Sequence, residues 1–143
     1  MDPQFLMGSA GEVAKLGIAE MRLLLSSEQC NGALAVGEFR GVAGAWTVPH
    51  THRDLDEFFY VVEGTFHFTC NEKELEAPAG SFLMVPRRTA HVFSALTDGM
   101  LLVLWSPGGL EQMFLELGRL PAESITNPAA RAEISKRYDS RPV

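Results

Sequence analysis

The chain has 143 residues, of which 46% are hydrophobic and 21% charged, and its net charge is −6. This length and composition indicate one folded domain with a core, and they exclude intrinsic disorder as the main state. The acidic balance and the lack of a Lys/Arg cluster make nucleic acid and membrane surfaces poor partners. The sequence has no run of about 18 apolar residues, so it predicts no membrane-spanning helix.

Residues 1–20 are expected to form an N-terminal leader or arm, because the first nine residues read as a frayed start without a secretory signal. Two cysteines, Cys30 and Cys70, lie far apart and form no C-x-x-C pair. Free thiols of this kind are typical of a reducing compartment. We therefore expect a cytoplasmic protein.

Short strand-like runs separated by turn residues fill residues 21–107, which we expect to form the β-domain. Glu63-Gly64 separates two of these runs and predicts a tight hairpin turn. Short strands at this regular spacing favour an all-β sandwich or small barrel. The runs are 22–25, 33–39, 46–48, 58–62, 65–70, 82–85, 92–94 and 100–105.

The pattern changes to helical spacing in residues 108–143, which we expect to form a C-terminal helical extension. Apolar residues at i, i+3, i+4 and i+7 predict a first helix that packs on the barrel and stops at Gly118. Asn127-Pro128 predicts the start of a second helix that runs to about Tyr138. The apolar stripe of the first helix is Leu110, Met113, Phe114 and Leu117.

Three of the four histidines lie in two short segments that also carry a glutamate. His50 and His52 are two residues apart, so on a strand both imidazoles point to the same side. Glu57 opens the next strand, and His91 opens a strand after a proline-containing turn. Three imidazoles and one carboxylate suit Mn, Fe, Co, Ni, Cu or Zn, and disfavour Ca²⁺ and Mg²⁺. Four ligands leave open coordination positions, as a catalytic site requires.

The two segments resemble the two sequence motifs of the cupin superfamily. The first motif, G-x5-H-x-H-x3,4-E-x6-G, is matched by Gly44, His50, His52, Glu57 and Gly64. The second, G-x5-P-x-G-x2-H-x3-N, is matched by Gly80, Pro86 and His91, with Arg88 replacing the inner glycine and Ala95 the asparagine. Residues 106–118 also resemble the tail of small single-domain bacterial cupins of the quercetin dioxygenase-like type.

This resemblance implies a double-stranded β-helix, the jelly-roll barrel of cupins, with one or two short C-terminal α-helices. It implies one divalent transition metal ion (Fe, Mn, Ni, Co, Cu or Zn) bound by His50, His52, Glu57 and His91. Small cupins are commonly homodimers, so we expect a homodimer in which the C-terminal residues cover a barrel edge or swap onto the partner.

Strand alternation also predicts which side chains line a substrate pocket around the metal. The same residues would serve equally well as plain barrel core. His67 falls on the opposite face of its strand and is expected at the surface. The predicted pocket residues are Trp46, Val48, Phe59, Val61, Phe66, Phe68 and Phe93.

An apolar, partly aromatic cavity favours a small organic substrate with flat or apolar parts. The leading hypothesis is a metal-dependent dioxygenase acting on a small aromatic or enolic compound, with Glu57 as metal ligand or as the base that takes the substrate's proton. Two alternatives stay open: a non-redox isomerase, cyclase or dehydratase on the same site, and a non-catalytic cupin that binds a small ligand.

Overall fold

The computed structural model describes residues 1–143, and twelve β-strands make up most of its regular secondary structure. A 3₁₀ turn (Ser27–Cys30) and two α-helices, α1 (Glu111–Leu117) and α2 (Pro128–Ser135), complete the fold. The strands are β1 (Val13–Lys15), β2 (Ala19–Leu25), β3 (Ala35–Gly41), β4 (Gly44–Ala45), β5 (His50–Thr51), β6 (Asp56–Glu63), β7 (Thr65–Cys70), β8 (Lys73–Pro78), β9 (Phe82–Val85), β10 (His91–Ala95), β11 (Gly99–Ser106) and β12 (Arg141–Pro142).

The strands form two antiparallel sheets that enclose one hydrophobic core. The first sheet has the order β1-β2-β3-β11-β6-β9, and the second has the order β12-β5-β10-β7-β8, with β4 also paired to β10. Aromatic rings bridge the two sheets: the ring of Phe59 on β6 lies 5.1 Å from that of Phe68 on β7 and 5.4 Å from that of Phe93 on β10. The predicted all-β jelly-roll barrel with two short helices is confirmed.

The connection between β6 and β7 differs from its prediction as a hairpin. β6 pairs with β11 and β9, whereas β7 pairs with β10 and β8, so the two strands belong to different sheets. Gly64 adopts φ +79°, and a Cβ atom there would lie 2.4 Å from the carbonyl oxygen of Asp98. The glycine therefore turns the chain from one sheet into the other, a role that sequence spacing alone does not separate from a hairpin turn.

Five strands fall outside the predicted runs, among them the two-residue strands β4 and β5. β1 lies within the segment expected to be a leader, where it pairs with β2. β8 has the sequence Lys-Glu-Leu-Glu-Ala-Pro, and its charged side chains suit a strand at a sheet edge. β12 has only two residues, too few for any periodic signal. Conversely, the run 46–48 forms no strand.

Both predicted helices are present, and neither is long and apolar enough to cross a membrane. The stripe of α1 faces the core, with Leu110, Met113 and Leu117 buried. Gly118 ends α1 in a right-handed conformation, and a Cβ atom there would lie 2.6 Å from Ala14 Cβ, so close packing on β1 requires the glycine. Asn127 caps α2 by accepting hydrogen bonds from two backbone N–H groups of its first turn.

Candidate metal centre

The four predicted ligands converge at one end of the barrel. His50 lies on β5, Glu57 on β6 and His91 on β10, and His52 directly follows β5. One ligand atom from each residue lies within 4.8 Å of the others. His52, Glu57 and His91 are buried, while His50 is half-buried. The structure therefore assembles from separate strands the cluster that the sequence predicts.

Backbone carbonyl groups fix the orientation of all three imidazoles. Each ring nitrogen Nδ1 lies within hydrogen-bonding distance of a carbonyl oxygen, which can only accept, so each Nδ1 must carry a proton. A neutral imidazole protonated at Nδ1 keeps its lone pair at Nε2, the arrangement typical of metal-bound histidine. The three contacts are His50–Val48 at 2.7 Å, His52–Asp139 at 2.7 Å and His91–Thr89 at 2.9 Å.

The Nε2 atoms face a carboxylate oxygen that cannot donate a hydrogen bond to them. Glu57 Oε1 lies 2.9 Å from His91 Nε2 and 3.4 Å from His52 Nε2, and the latter nitrogen is buried without any hydrogen-bond partner. A carboxylate oxygen next to imidazole lone pairs is stable only if a proton or a cation lies between them. The donor set of three nitrogens and one oxygen fits a transition metal ion in that position.

Trp105 holds the other oxygen of the carboxylate. Its indole Nε1–H donates to Glu57 Oε2 at 2.6 Å, and the two residues are direct neighbours on β11 and β6. With Oε2 occupied, Oε1 is the oxygen directed at the imidazoles. Sequence reasoning missed this role, although a tryptophan in an apolar strand signals that a buried N–H needs an acceptor.

The protonation tendencies at the centre follow from burial and from the carboxylate. Burial, together with the charge of His91, lowers the pKa of His50 to about 4. Burial lowers the pKa of His52, but the nearby Glu57 carboxylate and the contact with Asp139 together outweigh burial, so the pKa is raised. Burial likewise opposes the shift of Glu57, yet the imidazoles of His52 and His91 beside it, which donate to the carboxylate when they are protonated, hold the pKa of this carboxyl well below its usual range. The centre therefore favours a negative carboxylate with positive charge beside it.

Six of the seven predicted pocket residues lie in the hydrophobic core or pack against it, and of these Phe59 lies beside the centre, with its ring 6.5 Å from that of His91. The six are Trp46, which is half-buried, and the buried Phe59, Val61, Phe66, Phe68 and Phe93. Neighbouring aromatic rings in this set lie about 5 Å apart, for example 5.0 Å between Trp46 and Phe66, so much of the set packs against itself. Whether any of them contacts a substrate stays a prediction.

Val48 departs from the expected pocket, because its side chain is 69% exposed. The chain leaves the regular strand conformation between β4 and β5, so the alternation counted back from His50 does not extend to this position. His67 lies on the outer side of β7 as expected, with 38% of its side chain exposed.

The second motif's departure from the family pattern has a visible structural consequence. Arg88 stands where the motif has glycine, and it adopts φ +67°, a left-handed conformation that favours glycine. Its backbone N–H still donates to the carbonyl oxygen of His52 at 2.6 Å. The turn before His91 therefore contains a left-handed residue that is not glycine and is held by a hydrogen bond to the loop of His52.

Comparison with known proteins agrees with this fold and these motifs. The Cupin domain family matches residues 38–107. Quercetin 2,3-dioxygenase from Bacillus subtilis (strain 168) is 27% identical over 117 residues, which are 81% of this chain and 35% of that protein. The chain thus spans about a third of that relative's length. Residues 38–107 therefore form a cupin domain, and the chain is similar to quercetin 2,3-dioxygenase.

Solved structures show the same fold. KdgF from Halomonas sp. superposes with a TM-score of 0.68 at 19% identity, covering 78% of this chain and 99% of that one. An RmlC-like cupin from Shewanella frigidimarina gives 0.66 at 24% identity, covering 78% and 96%. Pac13 from Streptomyces, described as a nucleoside dehydratase, gives 0.63 at 15% identity, covering 77% and 88%.

Proposed function

We propose that this cupin is a metal-dependent dioxygenase acting on a small organic compound with an enolic or aromatic group. The observation that carries the proposal is the convergence of three imidazole Nε2 lone pairs and one carboxylate oxygen on a single point. The likeness to quercetin 2,3-dioxygenase supports this choice among the reactions that a cupin metal centre can host.

In this proposal, His50, His52, Glu57 and His91 hold one divalent transition metal ion. The bound ion would supply Lewis acidity towards a substrate oxygen and, for a redox-active metal, electron exchange with O₂. Glu57 serves as a ligand or accepts the substrate's proton at Oε1, while Trp105 keeps Oε2 engaged. The substrate approaches past His50, the one ligand of the four that is not fully buried, and its flat or apolar part lies towards the aromatic core, of which Phe59 is next to His91.

A non-redox reaction on the same site is the alternative. Pac13 shares this fold and is described as a nucleoside dehydratase, so the barrel suits an isomerase, cyclase or dehydratase as well. A cupin that binds a small ligand without turning it over is the third possibility. Metal identity and oxygen dependence separate the three.

The decisive experiment is metal analysis of protein purified without added metals, followed by an oxygen-electrode screen of enolic and phenolic compounds. We expect about one transition metal ion per chain and O₂ uptake with at least one compound. His50→Ala should lose most of the metal and the uptake, whereas His67→Ala, a surface histidine on β7, should keep both. Metal-loaded protein that converts a compound without O₂ would favour the alternative, and tight ligand binding without turnover would favour the third possibility.

The expected homodimer and cytoplasmic location stay predictions. The residues after Leu110 pack on their own barrel, because Leu115, Leu117 and Ile134 belong to the single core. The outer faces of β6 and β9 expose Tyr60, Val62, Phe82 and Met84, an apolar surface on which a second copy could pack. Light scattering at working concentration tests the dimer, and a monomer would contradict it.

A further inference from the structure

The three imidazoles of the metal centre differ in where their orienting carbonyl comes from. His50 and His91 contact carbonyl oxygens only two residues earlier in the chain, within their own loops. His52 contacts the carbonyl oxygen of Asp139, which is 87 residues away. The orientation of His52 therefore depends on the docking of a distant segment, whereas the other two rings are oriented locally.

Asp139 accepts three short hydrogen bonds from the loop that carries His52. Its carbonyl oxygen accepts from His52 Nδ1, its Oδ1 accepts from the backbone N–H of Arg53, and its Oδ2 accepts from that of Asp54, each at 2.7 Å. Hydrogen bonds from backbone N–H groups to a carboxylate are stronger than neutral ones. One residue thus uses both its main chain and its side chain to fix a single turn.

The segment around Asp139, residues 137–143, is anchored on both sides of this contact; we call it the clamp segment. On one side, Tyr138 Oη donates to Glu116 Oε2 of α1 at 2.6 Å, and Arg137 pairs with the same carboxylate. On the other side, β12 pairs with β5 beside His50, and Val143 N donates to Pro49 O at 3.1 Å. The clamp segment therefore joins the helical extension to the metal end of the barrel.

We propose that Asp139 is a positioning residue that sets the affinity of the metal centre through His52. With the clamp segment docked, the His52 proton stays on Nδ1 and the Nε2 lone pair, which has no other partner, points at the centre. With the segment released, the ring loses its acceptor and can rotate or change tautomer. Because linkage is reciprocal, a metal bound at the centre must in turn stabilise the docked clamp segment.

The inference rests on the proposed function in one respect, namely that these four residues bind a metal. The test uses Co²⁺ added to the full chain after its metal has been removed with a chelator. Asp139→Ala removes both side-chain bonds to the loop, and we expect Co²⁺ to bind 10–100-fold more weakly, as is usual when a group that orients a ligand is lost. Asp98→Ala is the matched control, because Asp98 accepts a backbone N–H from Ala43 at the opposite end of β10.

A second measurement, on the metal-free protein, separates positioning from a general effect on folding. Nitrogen NMR of labelled histidine reports which ring nitrogen carries the proton. Asp139→Ala keeps the carbonyl acceptor but loosens its hold on the loop, so we expect a smaller fraction of His52 in the Nδ1–H form, while His91 keeps its form and the control is unchanged. Asp139→Asn keeps one acceptor oxygen, so its Co²⁺ affinity and its His52 tautomer population should lie between those of wild type and Asp139→Ala. If the alanine variant does not fold, the asparagine variant is used for the test.

Each outcome is informative. Unchanged Co²⁺ affinity in Asp139→Ala overturns the inference, as does an equal loss in Asp98→Ala, or a weakened affinity with the His52 tautomer intact. If the wild-type protein does not bind Co²⁺ or any other transition metal, the proposed function fails. The tautomer measurement then still decides whether Asp139 orients His52.

Discussion

Two glutamates are buried in this protein, and their surroundings are opposite in kind. Glu111, at the start of α1, is fully buried and accepts backbone N–H groups with both oxygens, from Gly109 at 2.6 Å and Ser27 at 2.7 Å. Glu57 is 5% exposed and accepts one N–H, from Trp105, while its other oxygen faces imidazole lone pairs. The first carboxylate is satisfied by the fold, and the second needs a proton or a cation.

Burial of a charge therefore does not by itself mark a functional site. A buried carboxylate with enough donors links two segments, as Glu111 links the 3₁₀ turn near residue 27 to the start of α1. A buried carboxylate among acceptors lacks a neighbouring positive charge. A bound metal ion would supply that charge. Substitutions at the two regions should therefore give different kinds of effect.

The largest effect should come from removing an imidazole that faces Glu57. His91→Ala deletes one of the three proposed nitrogen ligands and leaves the Glu57 oxygen without its nearest nitrogen. We expect metal affinity to fall by at least about 100-fold, because a ligand that binds the metal directly contributes more than the groups that orient it. Metal content after purification checks this, with His67→Ala as the control. Wild-type content in His91→Ala would remove the basis of the metal centre.

Changing each glutamate to glutamine should give the clearest difference between the two regions in metal affinity and stability. The first of these substitutions is Glu57→Gln. The new amide can keep its oxygen on Trp105 and turn its N–H₂ towards His91 and His52 Nε2, so it satisfies the cluster without a cation. We expect metal affinity to fall about 10–100-fold, while the metal-free protein is at least as stable as wild type. Titration with Co²⁺ and urea unfolding of the metal-free protein measure the two quantities. A metal-free variant much less stable than wild type would contradict this account of Glu57.

The same change at Glu111 should lower the stability of the protein and leave its metal affinity nearly unchanged. An amide there can accept only one of the two backbone N–H groups, and its own N–H₂ must face the other. We expect Glu111→Gln to lower the free energy of unfolding by about 2–3 kcal/mol, since a partly buried donor loses its acceptor. Metal affinity should stay within about twofold, because the hydrogen bonds of Glu111 go to Gly109 and Ser27 and not to a ligand residue. Urea unfolding checks the first value. A stability equal to wild type would show that the link between the two segments contributes little.

Much of this pattern was readable from the sequence, because the spacing of His50, His52, Glu57 and His91 is local to two short segments. The alternation of β7 and the stripe of α1 were readable for the same reason. The partners that complete the centre were not, since Trp105 and Asp139 lie 48 and 87 residues from the groups they contact. Strand pairing and segment docking bring them together, and no periodicity encodes that. Gly64 shows the same limit, because one glycine signal fits both a hairpin and a change of sheet.

The smallest effect should come from the one donor that the fold does provide to Glu57. Trp105→Phe keeps an aromatic ring in the core beside Phe39 and Phe114 but removes the indole N–H. Glu57 Oε2 then has no donor, and the carboxylate is free to rotate away from the imidazoles. We expect about a tenfold loss of metal affinity and a loss of about 1–2 kcal/mol in stability. In the Glu57→Gln background, the same substitution should change metal affinity much less, because the neutral amide is no longer the negative ligand that Trp105 orients. Additive effects of the two substitutions on metal affinity would mean that Trp105 acts on the centre by another route, such as its packing on α1.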